Sequence, residues 1–82
     1  MVERFEAGEV LVRAGGPGRV ELVDVDGEVW EFEVPSDDVP RGLPCTIVKD
    51  EMVGGILHVL IDTEAASVDG VSRFRVLRAL VP

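Results

Sequence analysis

The chain has 82 residues, with 16 acidic side chains against 8 basic ones, for a formal charge of −8. Apolar residues make up 46% and charged residues 29%, the balance of one globular domain with a modest core rather than of a disordered acidic tail. That leaves little room for a large water-excluding cleft. The acidic balance also argues against nucleic acid or an anionic membrane surface as the main partner, since both require clustered Lys and Arg.

The longest nearly apolar run, residues 56–61, includes His58 and is far short of the roughly 20 residues of a spanning helix, so no membrane insertion is expected. The first six residues carry charges and no apolar h-region, so no secretory leader is expected. Cys45 is the single cysteine, which rules out an internal disulfide and favours a cytoplasmic or assembly-bound setting.

Valine occurs 16 times, and β-branched side chains favour pleated, half-buried surfaces. No window carries an i, i+3, i+4, i+7 apolar stripe. Short apolar runs broken by Gly, Pro and Asp about every ten residues predict an all-β chain. The first strand is expected over residues 9–13, extending back to Phe5 across Gly8, and ending at the glycine-rich run 14–18, read as a mobile connection. The second and third strands are expected over 19–24 and 28–34, with Val25-Asp26-Gly27 between them.

Burial selects the register of that hairpin. A two-residue Asp26-Gly27 turn would put Glu21 on the aromatic face. A three-residue loop pairs Leu22 with Trp30 and Val20 with Phe32, and collects Val20, Leu22, Trp30, Phe32 and Val34 on one face. Gly27 then supplies the left-handed residue such a loop needs. The cost is Glu21 opposite Glu31 on the outer face.

Residues 35–44 contain Pro35, Pro40 and Pro44 and cannot form a central strand. Ser36 is placed to cap one helical turn through residues 37–39 that Pro40 stops. A fourth strand is expected over 45–52, a turn at 53–55, and a fifth strand over 56–62. The fifth is apolar on both faces apart from His58, and so is expected to be central or covered on both sides. Residues 63–70 form a polar connection with room for a helical turn at 64–66, and the last strand is expected over 71–81. About six short antiparallel strands in one domain predict a small β-barrel or sandwich, OB-like or SH3-like. Such a fold does not specify a function.

Gly18-Arg19-Val20, Asp26-Gly27-Glu28, Val39-Pro40-Arg41-Gly42, Thr46-Ile47-Val48 and Gly55-Ile56-Leu57-His58-Val59 together resemble the soluble OB-like domain of NfeD-type proteins, over about half the chain. The resemblance implies a strand, turn, strand, a glycine-containing approach and two further strands. NfeD-type domains usually accompany membrane segments, and these 82 residues contain no run of that kind.

Each motif with chemical potential has a simpler structural use. Gly15-Gly16-Pro17-Gly18 leads into Arg19-Val20-Glu21-Leu22, which reads as strand, and lacks the helix, Lys and Ser/Thr of a phosphate loop. Asp24-Val25-Asp26-Gly27 shares a fragment with calcium loops, but Asp-Gly is itself a turn signal. Cys45 and His58 lie on neighbouring predicted strands, within two or three rungs if the turn centres on Val53-Gly54, yet no orienting group or oxyanion donor accompanies them. The carboxylates alternate with apolar residues or sit in turns, as on a solvated face. Trp30 and Phe32 suit base stacking, but they alternate with Glu31 and Glu33, which repel phosphate. No catalytic residue, metal site or cofactor is therefore expected, and the chain is not read as an enzyme.

Charge is distributed unevenly. All 16 acidic residues lie in residues 1–70, whereas residues 71–82 hold Arg73, Arg75 and Arg78 and no acid. Those arginines either pair with an acidic strand of the same domain or dock an acidic partner. The expectation is a non-enzymatic protein–protein contact module, self-associating or held in a larger assembly such as a virion, with Arg73, Arg75 and Arg78 as candidate partner-binding residues. The alternative is an OB/SH3-like module binding a small ligand, peptide or nucleic acid.

Overall fold

A computed structural model describes residues 2–35 and 39–82. The described residues form seven strands: β1 (Val2–Leu11), β2 (Arg13–Gly16), β3 (Arg19–Val23), β4 (Val29–Glu33), β5 (Gly42–Val53), β6 (Ile56–Thr63) and β7 (Arg73–Leu77). A 3-10 turn, Arg78–Leu80, follows. Two antiparallel sheets result, in the orders β1-β5-β6-β7 and β2-β3-β4.

The β3–β4 hairpin adopts the register that buries its apolar face: Leu22 opposes Trp30 and Val20 opposes Phe32. Gly27 has φ +82° and its amide donates to the Asp24 carbonyl at 3.0 Å, closing the three-residue loop. Glu21 does oppose Glu31, and each carboxylate takes its own cation. Arg13 bonds Glu21 at 2.8 Å and Arg19 bonds Glu31 at 2.6 Å.

At the β5–β6 hairpin, Val53 pairs with Ile56. Gly54 and Gly55 alone make the turn, with φ of +58° and +81°, the left-handed pair that a two-residue hairpin requires. β6 is central, as its composition predicts.

The buried faces meet in one core of Val10, Val20, Leu22, Phe32, Cys45, Ile47, Val59, Ile61, Phe74, Val76 and Val81. Phe74 is its hub, with Trp30 and Phe32 edge-on at 5.4 and 5.7 Å. Gly8 sits on this face because a β-carbon there would lie 2.8 Å from Ile47 Cδ1.

Five expectations are corrected. Gly42, Leu43 and Pro44, expected outside any central strand, open the interior strand β5 and pair with Leu11, Val10 and Glu9. The proline is accommodated because the β6 ladder ends at Thr63 opposite Cys45, so among the described residues only β1 flanks this stretch. The first strand reaches back to Val2, stops at Leu11 and resumes at Arg13 in the other sheet. The Val12 amide leaves the ladders to donate to the Arg41 carbonyl at 2.9 Å. The glycine-rich run is not a loose connection: Ala14, Gly15 and Gly16 belong to β2, and only Pro17-Gly18 turns. Residues 64–66 form a bend, not a helical turn. The Thr63 hydroxyl donates to the Ala65 carbonyl there at 2.7 Å. The last strand ends at Leu77, so Arg78 lies in the 3-10 turn and not on a strand face with Phe74 and Val76. The helical turn expected at Ser36 lies outside the described residues.

Candidate functional site

The arginines of β7 face away from the core, on the side shared with Asp62 and Glu51. Arg73 opposes Asp62 in the ladder and grips it through two bonds of 2.7 and 2.9 Å. Arg75 reaches Glu51 at 3.2 Å, and Lys49 joins the same carboxylate at 3.4 Å. The Arg73 bond holds the Asp62 carboxyl below its ordinary range, against a smaller opposing effect of desolvation. Arg75 does the same for Glu51, with Lys49 adding to it. Arg78 donates to the Val81 carbonyl and closes the C-terminal turn. Arg73 and Arg75 thus have acidic partners within the domain, although their side chains remain 59% and 45% exposed.

Cys45 and His58 are not brought together. Cys45 opposes Thr63, whereas His58 opposes Glu51 at the other end of the β5–β6 ladder. The turn at Gly54-Gly55 rather than Val53-Gly54 contributes, but the main cause is that Cys45 lies near the start of the expected strand and His58 near the turn. Cys45 is buried, and desolvation, then Glu9 and Glu64, push its thiol up, the reverse of nucleophile activation. His58 faces Leu77 on its other side, and its Nδ1 is buried without a hydrogen-bond partner among the described residues.

Asp24 is fully engaged inside its hairpin. Oδ1 accepts the amides of Asp26 and Glu28 at 2.9 and 3.0 Å, and Oδ2 accepts Trp30 Nε1 at 2.9 Å. The calcium-like fragment is a turn, and among the described residues no group of three or more potential ligands converges on a point. Phe32 is buried and Trp30 half-buried against Phe74, so neither offers an open ring for stacking. Described helices include none long and apolar enough to cross a membrane.

What the sequence reading passed over is the far end of the β5–β6 hairpin. β1 accompanies β5 only as far as Val2 opposite Asp50, and β7 accompanies β6 only as far as Leu77 opposite His58. Among the described residues no strand flanks residues 52–57, which project as a two-stranded arm. Met52 pairs with Leu57, and Val53 with Ile56 on the opposite face. Met52 is 65%, Ile56 55%, Val53 47% and the adjacent Leu77 43% exposed. The signal was present in Met52-Val53-Gly54-Gly55-Ile56, an uncharged run at a turn, where polar residues are usual. Only the lengths of the flanking strands expose it.

No family model matches this chain, and no match to it was found among curated proteins or solved structures.

Proposed function

We propose that this chain is a non-enzymatic protein–protein contact module, a small structural or accessory subunit of a larger assembly such as a virion decoration, connector or tail protein. The observation that carries the reading is the arm at residues 52–57, which no strand flanks among the described residues. It exposes apolar side chains on both faces, although a two-stranded ribbon on its own is marginally stable in water. Arg73 and Arg75 lie on the sheet face behind it and serve as a polar rim, a role suited to guanidinium groups at interfaces.

We read the two sheets as halves of a small, partly open barrel of OB-like or SH3-like kind. Two hydrogen bonds from connecting loops support this: the Val25 amide of the β3–β4 loop donates to the Arg75 carbonyl of β7 at 2.9 Å, and the Val68 amide of the β6–β7 connection donates to the Glu31 carbonyl of β4 at 2.8 Å.

The test is recovery of a stoichiometric partner from the native source at physiological salt, with the wild-type chain and with a Met52→Ser/Ile56→Ser double variant. A partner retained by the wild type and lost by the folded variant supports the reading. A chain that is strictly monomeric and retains nothing overturns it.

A further inference from the structure

Val-Asp-Gly occurs twice, at residues 25–27 and 68–70, and both copies fold into the same loop. The Asp24 amide donates to the Glu28 carbonyl at 3.0 Å, and the Ser67 amide to the Val71 carbonyl at 2.7 Å. The Gly27 amide donates to the Asp24 carbonyl at 3.0 Å, and the Gly70 amide to the Ser67 carbonyl at 2.9 Å, with φ of +82° and +83°. A side-chain oxygen of the first residue holds the far end of each loop. Asp24 Oδ1 accepts the Glu28 amide at 3.0 Å, and Ser67 Oγ accepts the Val71 amide at 3.1 Å. Even the valine amides correspond, each donating to the edge strand of the other sheet, Val25 to Arg75 and Val68 to Glu31.

The two loops differ at one bond. Asp24 Oδ1 also accepts the Asp26 amide at 2.9 Å. The serine hydroxyl in the matching place is shorter, and among the described residues the Asp69 amide has no acceptor. Asp26, Gly27, Asp69 and Gly70 are all exposed.

We propose that Asp69-Gly70 is a site of spontaneous isoaspartate formation in the native chain, and that Asp24 protects Asp26-Gly27 from the same change. The Gly70 nitrogen attacks Cγ of Asp69, with no side chain of its own in the way. An N–Cγ bond forms, and the carboxyl hydroxyl and the amide proton leave as water. Water then opens the five-membered succinimide. Opening at Cγ restores aspartate, and opening at the main-chain carbonyl carbon leaves the chain running through Cβ and Cγ. No oxidant or further reactant is consumed.

Cyclisation requires the aspartate to turn about its own bonds until Cγ meets the next nitrogen. The glycine amide bond opposes that turn in both loops, whereas the hold on the aspartate amide opposes it only at Asp26. A hydrogen bond of this kind changes a local opening equilibrium by about twofold to tenfold. Isoaspartate lengthens the main chain by one methylene group. At residue 69 that change falls next to the Val68 bond to Glu31, where the connection before β7 meets the other sheet. The site is separate from the contact surfaces proposed above and does not depend on them.

Peptide mapping of native chain aged near neutral pH tests this, because isoaspartyl and aspartyl peptides separate on chromatography. Conversion at Asp69 is expected to run about twofold to tenfold ahead of conversion at Asp26. In denaturant the two rates are expected to converge, since both sites are Val-Asp-Gly. Folded Asp24→Ala is expected to raise the rate at Asp26 to that at Asp69, with Asp69 unchanged. Asp24→Asn, which keeps an acceptor, is expected to hold Asp26 down. Should Asp24→Ala fail to fold, amide hydrogen exchange of the wild type replaces it, with less protection expected at Asp69 than at Asp26. A native chain that converts Asp69 no faster than Asp26, or a bias towards Asp69 that persists in denaturant, would overturn the inference. So would continued protection of Asp26 in folded Asp24→Ala, or equal exchange protection of the two amides.

Discussion

Asp24 and Trp30 are tied across the β3–β4 hairpin: the indole Nε1 donates to Asp24 Oδ2 at 2.9 Å while Oδ1 holds the Asp26 and Glu28 amides. One carboxylate thus sets both the loop and the orientation of the chain's only tryptophan, which packs edge-on against Phe74. Asp24→Ala leaves a half-buried indole donor and two loop amides without their acceptor. The expected loss is about 1–3 kcal/mol, measured by urea unfolding, with a change in Trp30 emission. Asp24→Asn keeps an acceptor and should lose less. A loss below about 0.5 kcal/mol for Asp24→Ala would show that water replaces the carboxylate.

Gly8 and Gly42 both lie in the β1–β5 pairing, yet alanine should act differently at each. At Gly8 the new methyl meets Ile47, whose side chain is buried in the core and has little freedom to move. Overpacking of this kind costs about 1–3 kcal/mol, and Ile47→Val in the same chain should recover part of it. At Gly42 the methyl meets Glu9, which is exposed and swings aside. Gly42→Ala should be neutral or slightly stabilising, through the smaller entropy of the unfolded chain. Equal thermal midpoints for the two variants would contradict this account.

The two lowered carboxyls set an acid limb of stability. Asp62 and Glu51 titrate lower in the folded chain than in the unfolded one, because Arg73 and Arg75 bond their ionised forms. Unfolded carboxyls of these types titrate near about 4. The stabilisation is whole above that value and is lost as pH falls through it and then through the depressed folded values. Arg73→Gln/Arg75→Gln should therefore lower the urea midpoint at pH 7, while the difference from wild type should shrink towards pH 2. The effect is small, because these pairs are solvent-exposed and screened by salt. A difference independent of pH would assign the loss to packing of the arginine stems.

Cys45 is a packing residue on the inner face opposite Thr63. Its thiol should react with an aromatic disulfide reagent at pH 8 at least a hundredfold more slowly in the native chain than in denaturant. Cys45→Ala should leave the fold intact, at a cost of about 1–2 kcal/mol for the cavity. Rapid native labelling would show that the strand pair opens locally at that end.

Much of the local pattern was legible in the residues. Alternation of Val20, Leu22, Trp30 and Phe32 with charged neighbours predicted both strands of the β3–β4 hairpin and their register, because a slip of one would bury Glu21. Val53-Gly54-Gly55 marked the next turn, which the structure narrows to the two glycines. The bond from Trp30 to Asp24 was not legible, because it depends on where the indole ring points, which the backbone pattern does not state. The split at Val12 escaped for a related reason. Residues 9–16 read as one strand and a loop, since changing sheets leaves no mark on alternation.

By itself, then, the sequence determined the class of structure, the cores of most strands and the two tight hairpins, all of which follow from side-chain alternation and from glycine at left-handed positions. Which strands lie side by side was decided only in the tertiary structure. β1 pairs with β5 more than thirty residues away, since that pairing brings Val10 and Ile47 into the core that Phe74 fills. Likewise β7 ends at Leu77, opposite His58 and short of the β5–β6 turn, and among the described residues no strand covers Met52, Val53 and Ile56. Local chemistry makes a hairpin, but only the lengths of its neighbours determine how much of it water sees.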